Sequence, residues 1–276
     1  MGAWVMAGVT FREAARKRLL LMALLAGVAF IALFSTGMHF QVKDIHARHI
    51  SPLIAQEALR AFLMVGLYAV DLIAVVMTAL TSVDTLSGEI NSGTIQAVAT
   101  KPVSRHQILL GKWLGFVAMV TVYLILMIGG VVGMAHWLSG IGPRHLMLGA
   151  GLIWFECLLI LSLTLLFGTT FSTLTNGVLV LGMHGIAFLG GWIEQVGAVV
   201  HSPRTVTLGI VASVIMPSES LWRRAAFEMQ SPIVGALNIS PFSNASVPSA
   251  AMIVYAGLYM LAIGFLAGRR FGRRDL

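Results

Sequence analysis

Three carboxylates stand inside long apolar runs of this chain of 276 residues: Asp71, Glu156 and Glu194. A charge at the centre of a bilayer costs at least about 2.5–3.5 kcal/mol, so such groups face a bundle interior or an ion path and are functional candidates by default. Asp71 falls near the middle of its run, and Glu156 lies about halfway along another, next to Cys157, the only cysteine. Two readings stand open for this pair. One is a cation or proton pathway; the other is a protonated or hydrogen-bonded carboxyl that fixes packing or an interface between copies. Glu194 lies near the outer end of its run, where it could reach the headgroups. His184 adds an imidazole to the same run, better read as a hydrogen-bonded core residue than as a catalytic base. His39, His46 and His49 beside Met38, with fifteen methionines in all, offer donors that suit Cu(I). No dense Met-x-x-Met cluster accompanies them, and methionine is ordinary core filler, so no metal site is assigned. No catalytic residue is assigned either: H-E-x-x-H, Gly-x-Ser-x-Gly and paired aspartates on facing runs are missing from the sequence.

A second concentration of reactive types runs from Asp84 to Lys112. Gly93-Thr94 can open a short helix with Thr94 as its N-cap, and Lys101-Pro102 closes it. Ile95, Val98 and Ala99 share one side of that helix, a surface suited to a groove on a partner. Ser104 and Gln107 then have the capping-box spacing for a following helix. Taken on spacing alone, the stretch is also an ordinary loop between two spans.

The elements that position these groups follow from composition. The chain is 58% hydrophobic and 11% charged, where a soluble domain carries about a quarter charged residues. Its charges cluster between apolar runs of about 20 residues, the length that crosses a hydrocarbon core of roughly 30 Å. A soluble enzyme, a disordered chain and a DNA-binding domain are excluded. The net charge of +7 points to lipid headgroups, not nucleic acid. Spans are expected at 19–38, 61–82, 113–138, 146–170, 175–200 and 249–268, giving an all-α membrane protein with six transmembrane helices. Eleven of the eighteen basic residues fall on the side of both termini: Arg12, Arg16, Lys17, Arg18, Lys101, Arg105, Lys112, Arg269, Arg270, Arg273 and Arg274. That excess places both termini in the cytoplasm.

Between the last two spans lies an outer segment, 201–248, containing five of the eight prolines. Its apolar piece Val206 to Met216 is too short to cross and reads as re-entrant or interfacial. Ser218 to Gln230 reads as a short helix, with Trp222 at headgroup level and Arg223 and Arg224 toward water.

Glu89-x3-Gly93-Thr94, Lys101-Pro102-Val103-Ser104-Arg105 and Leu110-Gly111-Lys112 resemble the motif of ABC-2 type exporter permeases. The opening Thr10-Phe11-Arg12-Glu13-Ala14 ahead of a basic cluster is similar to the same family, as are the six spans. The whole chain fits the family's architecture, while the specific motif covers about 30 residues; within the family it looks most like permeases of nitrous-oxide-reductase maturation and sodium-efflux systems. The resemblance implies a single permease domain over 1–276, with an N-terminal interfacial helix at 4–18 and a coupling loop at 84–112. Glu89, Gly93, Thr94, Ile95, Val98, Lys101, Pro102, Arg105 and Lys112 would dock and couple to a separate ATPase subunit. No G-x4-G-K-[ST] P-loop occurs in the chain, so ATP and Mg²⁺ would bind that partner, in two copies, and no cofactor would bind here. A two-fold ATPase pair implies a second permease copy, as a homodimer or a paralogous heterodimer, in a bacterial cytoplasmic membrane. A periplasmic partner on the outer segment is a further option. The competing function is a proton-coupled secondary transporter using Asp71 and Glu156, which leaves the Glu89–Lys112 pattern unexplained. An intramembrane enzyme ranks last.

Overall fold

Inside hydrocarbon, a single segment satisfies all its backbone N–H and C=O groups only as an α-helix. The computed structural model describes residues 2–16, 18–48, 50–91, 104–231, 233 and 246–273, and they form ten helices and no strand. In chain order these are α1 (Gly2–Arg16), α2 (Arg18–Ala47), α3 (Pro52–Ser82), α4 (Asp84–Asn91), α5 (Arg105–Ser139), α6 (Leu146–Gly168), α7 (Thr173–Val199), α8 (Pro203–Ile215), α9 (Ser218–Met229) and α10 (Ala250–Arg273). Six are long and apolar enough to span a membrane: α2, α3 continued by α4, α5, α6, α7 and α10. The protein is an all-α membrane protein.

Several helices outrun the expected spans. α2 continues to Ala47, not 38, α3 begins at Pro52, not 61, and α5 begins at Arg105, not 113. Hydropathy marks only the part in hydrocarbon. Beyond it, charged side chains support further turns through local pairs, such as Arg48 with Asp44 (2.9 Å) and Arg60 with Glu57 (2.8 Å).

Helix ends follow local chemistry. Pro52 sits in the first turn of α3, where its missing N–H costs nothing. Ser104 and Gln107 form the expected capping box on α5, and Gly140 closes that helix in the left-handed region at φ 70°. Ser172 caps α7 through the Thr175 N–H.

α6 is apolar on every side and lies at the centre, with α3 the next most buried; α2 and α10 are peripheral. α1 packs across the first turns of α5. A side chain at Gly111 would collide with Met6 and the Ala3 carbonyl, and one at Gly115 with the Ala7 carbonyl and Thr10, so the two glycines allow backbone to lie on backbone. Ala7, Thr10 and Ala14 form the buried side of α1, while Trp4, Val5 and Val9 are exposed. Of the other glycine patches, Gly190 and Gly191 sit in tight contacts with Ala212 and Glu219, and Gly130 with Ile31.

α8 and α9 form a hairpin bent by 109°. α8 runs antiparallel to α7: its start lies against Gly197 and its Gly209 and Ala212 against Gly190. α9 then returns, passing Gly191 at Glu219 and reaching Gly149 and the Arg144 N–H at Met229. Both ends of the hairpin therefore lie at the same end of the bundle, and its tip lies at the level of the middle of α7. Residues 206–216 are packed along α7 and do not lie free at the end of the bundle. The carbonyls left open at the end of α8 are taken up by α10, where the Tyr255 hydroxyl donates to Val214 O (2.6 Å) and the Tyr259 hydroxyl to Ile215 O (2.9 Å).

Candidate functional site

At the end of the bundle rich in basic residues, α3 passes into α4 through Val83, whose backbone stays helical (φ −57°, ψ −34°). The buried amide of Asn176 holds this junction, donating to Val83 O (3.2 Å) and to Thr164 O (2.9 Å). Thr173, at the start of α7, adds hydroxyl contacts to Ser87 (3.0 Å) and Asp84 (3.2 Å). The base of the segment is then closed by an ion pair between Lys112 and Glu89, two residues singled out in the sequence and separated by 23 positions. Lys112 is 3% exposed and its ammonium also reaches Thr85 O (3.5 Å), so nearly all of its charge is met by this end of α4. Arg105 binds the last turn of α10 through the carbonyls of Gly272 (3.3 Å) and Phe271 (3.5 Å), a favourable place for a cation at a helix C-terminus. Three of the nine coupling candidates are thus placed on one end of the molecule. Gly93, Thr94, Ile95, Val98, Lys101 and Pro102 lie outside the described residues.

A second polar group occupies the middle of the bundle. Asp71 on α3 and Glu156 on α6 are buried side by side, close enough to interact. His184 on α7 brings Nδ1 to 3.8 Å from Glu156 Oε1 and hydrogen-bonds Ser218 Oγ at 3.0 Å. His184 is thus the hydrogen-bonded core residue that the sequence suggested. Ser218 and Glu219 come from the tip of the hairpin, and Glu219 is also buried within electrostatic reach of Asp71 and Glu156. Among the described residues, Asp71 Oδ1 and both oxygens of Glu156 make no hydrogen bond. Tyr68 walls the group, its ring 5.0 Å from that of Trp222 and its hydroxyl 3.4 Å from Trp192 Nε1. Four elements converge here, α3, α6, α7 and α9.

Expectations for three residues of the outer segment, Trp222, Arg223 and Arg224, and for Glu194 on α7 are overturned. Trp222 is not an exposed residue open to headgroups but is 3% exposed, packed within the protein against Tyr68. Arg223 does not face water: it is buried in an ion pair with Glu194 (2.8 Å) and lies 3.4 Å from Ser213 Oγ. Glu194 in turn does not reach for headgroups; its other oxygen accepts from Ser246 Oγ at 2.5 Å. Arg224 is also largely covered, paired with Glu228 (2.6 Å) and bonded to Pro248 O (3.3 Å). The physical reason is common to all: α9 has protein on most sides, so its charges find partners and not solvent. Most of α9 is buried.

Sequence reading missed Glu219, Ser218 and Asn176. The first two carried a signal, Pro217-Ser218-Glu219, a helix start with an acid in its first turn, that was assigned to the surface. Asn176 had none beyond being an amide in an apolar run.

The family profile described as "ABC-2 family transporter protein" matches residues 4–276, so the chain belongs to that family. It is a permease subunit of an ABC transporter, and permeases of this family work with an ABC ATPase partner. No curated protein matches the chain at a significant level.

Proposed function

We propose that the protein is the membrane half of an ATP-driven exporter in a bacterial cytoplasmic membrane. Two permease copies, identical or paralogous, would carry two ATPase subunits, which bind ATP and Mg²⁺. The basic end, with both termini, faces the cytoplasm, and α1 lies along that surface. The observation that carries this reading is the Lys112–Glu89 ion pair, which ties the base of the 84–112 segment to the first turns of α5. A push on the segment is thereby delivered to a spanning helix and not absorbed by a slack loop. Closure of the ATPase pair would move the segment, and the spans would tilt as rigid bodies to alternate access.

Purification of the tagged protein in mild detergent from native membranes tests the reading. A stoichiometric ATPase should co-elute, and charged residues at Ile95 and Val98 should release it. Glu89→Ala should leave the protein inserted and the ATPase bound but uncouple hydrolysis from transport. Normal transport by that variant would overturn the assignment of the segment. Transport that follows the proton gradient and persists without ATP would transfer the mechanism to Asp71 and Glu156.

A further inference from the structure

We infer that the groove between α5, α6 and α10 at the basic end binds one anionic phospholipid, with an acyl chain along the groove and the phosphate at His106 and Arg269. This inference does not rest on the proposed transport reaction; it uses only the spans and the groove itself.

The groove has a volume of about 310 Å³ and is lined by Leu109, Trp113, Leu165, Met260, Gly264 and Phe265, among others. It continues toward the end of the bundle into a second hollow that His106, Gly268 and Arg269 complete. From Met260 to Arg269 is nine residues of helix, about 13 Å at 1.5 Å per residue. One leaflet of a hydrocarbon core of roughly 30 Å is about 15 Å deep, so the apolar part spans one leaflet and its charged end falls at the headgroups.

The interior is built for hydrocarbon. Its two polar groups satisfy each other: Trp113 Nε1 donates to Ser162 Oγ (3.0 Å), which donates to Leu158 O (2.7 Å). Among the described residues, no buried side-chain polar atom of this lining is left without a hydrogen bond. Leu261 and Phe265 stay 66% and 68% exposed on the outer lip, as a groove entered sideways from the lipid phase requires. Gly264 lines the hollow, and a Cβ at that position would meet nothing within 4 Å, so a larger side chain there has room to fill it. At the mouth, the His106 ring lies along the backbone of Gly268 and Gly272. Both His106 and Arg269 are exposed, and among the described residues neither makes a hydrogen bond or ion pair. By contrast, the neighbouring Arg105 and Arg270 are engaged, with α10 carbonyls and with Thr170. A basic pair over an apolar slot is the charge complement of an anionic diacyl lipid, not of a neutral one.

The test is native mass spectrometry of the full-length protein, with whatever subunits it is purified with, taken from nanodiscs of phosphatidylglycerol and phosphatidylcholine. The wild type should retain one phosphatidylglycerol per chain, with a preference over phosphatidylcholine of about fivefold or more. Gly264→Leu should lose the retained lipid. The double variant His106→Gln with Arg269→Gln, whose altered side chains are exposed and leave the fold intact, should keep a lipid but lose the preference. Retention by Gly264→Leu equal to the wild type, or an unchanged preference in the double variant, would overturn the site. So would efficient chain-to-chain cross-linking of Phe265→Cys in membranes, which would assign the groove to a second copy; the native Cys157 is buried and does not interfere.

Discussion

Two sets of buried carboxylates lie on neighbouring parts of the bundle and are treated in opposite ways. Glu194 meets the Arg223 guanidinium and the Ser246 hydroxyl, so both its oxygens are engaged. Asp71 and Glu156 have each other and an imidazole at 3.8 Å, and three of their four oxygens are without a hydrogen bond among the described residues. The first arrangement leaves no carboxylate oxygen open. The second keeps acceptors that a proton or a cation can occupy. The contrast shows that burial of an acid in a span does not by itself define a role; its complement of partners does.

Breaking the Glu194–Arg223 pair should have the largest effect. Arg223→Ala leaves Glu194 buried and unmatched, at an expected cost of about 3–5 kcal/mol in stability. Thermal unfolding in detergent should show it, and Glu194→Leu combined with Arg223→Met should recover most of the loss. A loss below about 1 kcal/mol, the range of an exposed pair, would remove the distinction between the two sets. Next is Asn176→Ala, which removes two buried hydrogen bonds, to Thr164 O and to a Val83 O that keeps the Ser87 hydroxyl, and should cost about 1–3 kcal/mol; protease sensitivity should rise near the α3–α4 junction. Ser104→Ala removes the cap on α5 and should cost about 1 kcal/mol, read as a small shift in the unfolding midpoint. The smallest effect on stability is expected from Asp71→Asn and Glu156→Gln, which change no volume and leave no charge without a partner. These amides keep the shape of a neutral carboxyl. Lost transport at unchanged stability would make the pair a functional site, whereas a loss comparable to that of Arg223→Ala would make it a structural one.

What the sequence disclosed depended on how far each feature reaches along the chain. Spans are legible because each must itself contain about 20 apolar residues. The Ser104–Gln107 box is legible because it needs only four consecutive positions. Glu89 and Lys112 could be named from the family motif, but not their pairing, since that depends on how α4 lies against α5. Arg223 was misread because an arginine near a span end ordinarily faces water. Its burial is set by the 109° turn of the hairpin and by Glu194, 29 residues upstream, neither of which is local. Asn176 looked like any polar residue near the start of a span, and its role depends on two carbonyls from other helices.

The seat of α1 has a consequence for how the molecule is made. α1 is synthesised before the glycines it packs on, Gly111 and Gly115, which lie about 100 residues further along the chain. At roughly 5–20 residues per second of synthesis, the N-terminal helix waits on the order of 5–20 s before its seat exists. Until then Ala7, Thr10 and Ala14 have no helix to lie against, and α1 holds its place only by the apolar side that includes Trp4, Val5 and Val9. α1 therefore settles only once the first turns of α5 have been made, and a nascent chain arrested before Gly115 should leave it open to a protease that the complete protein resists.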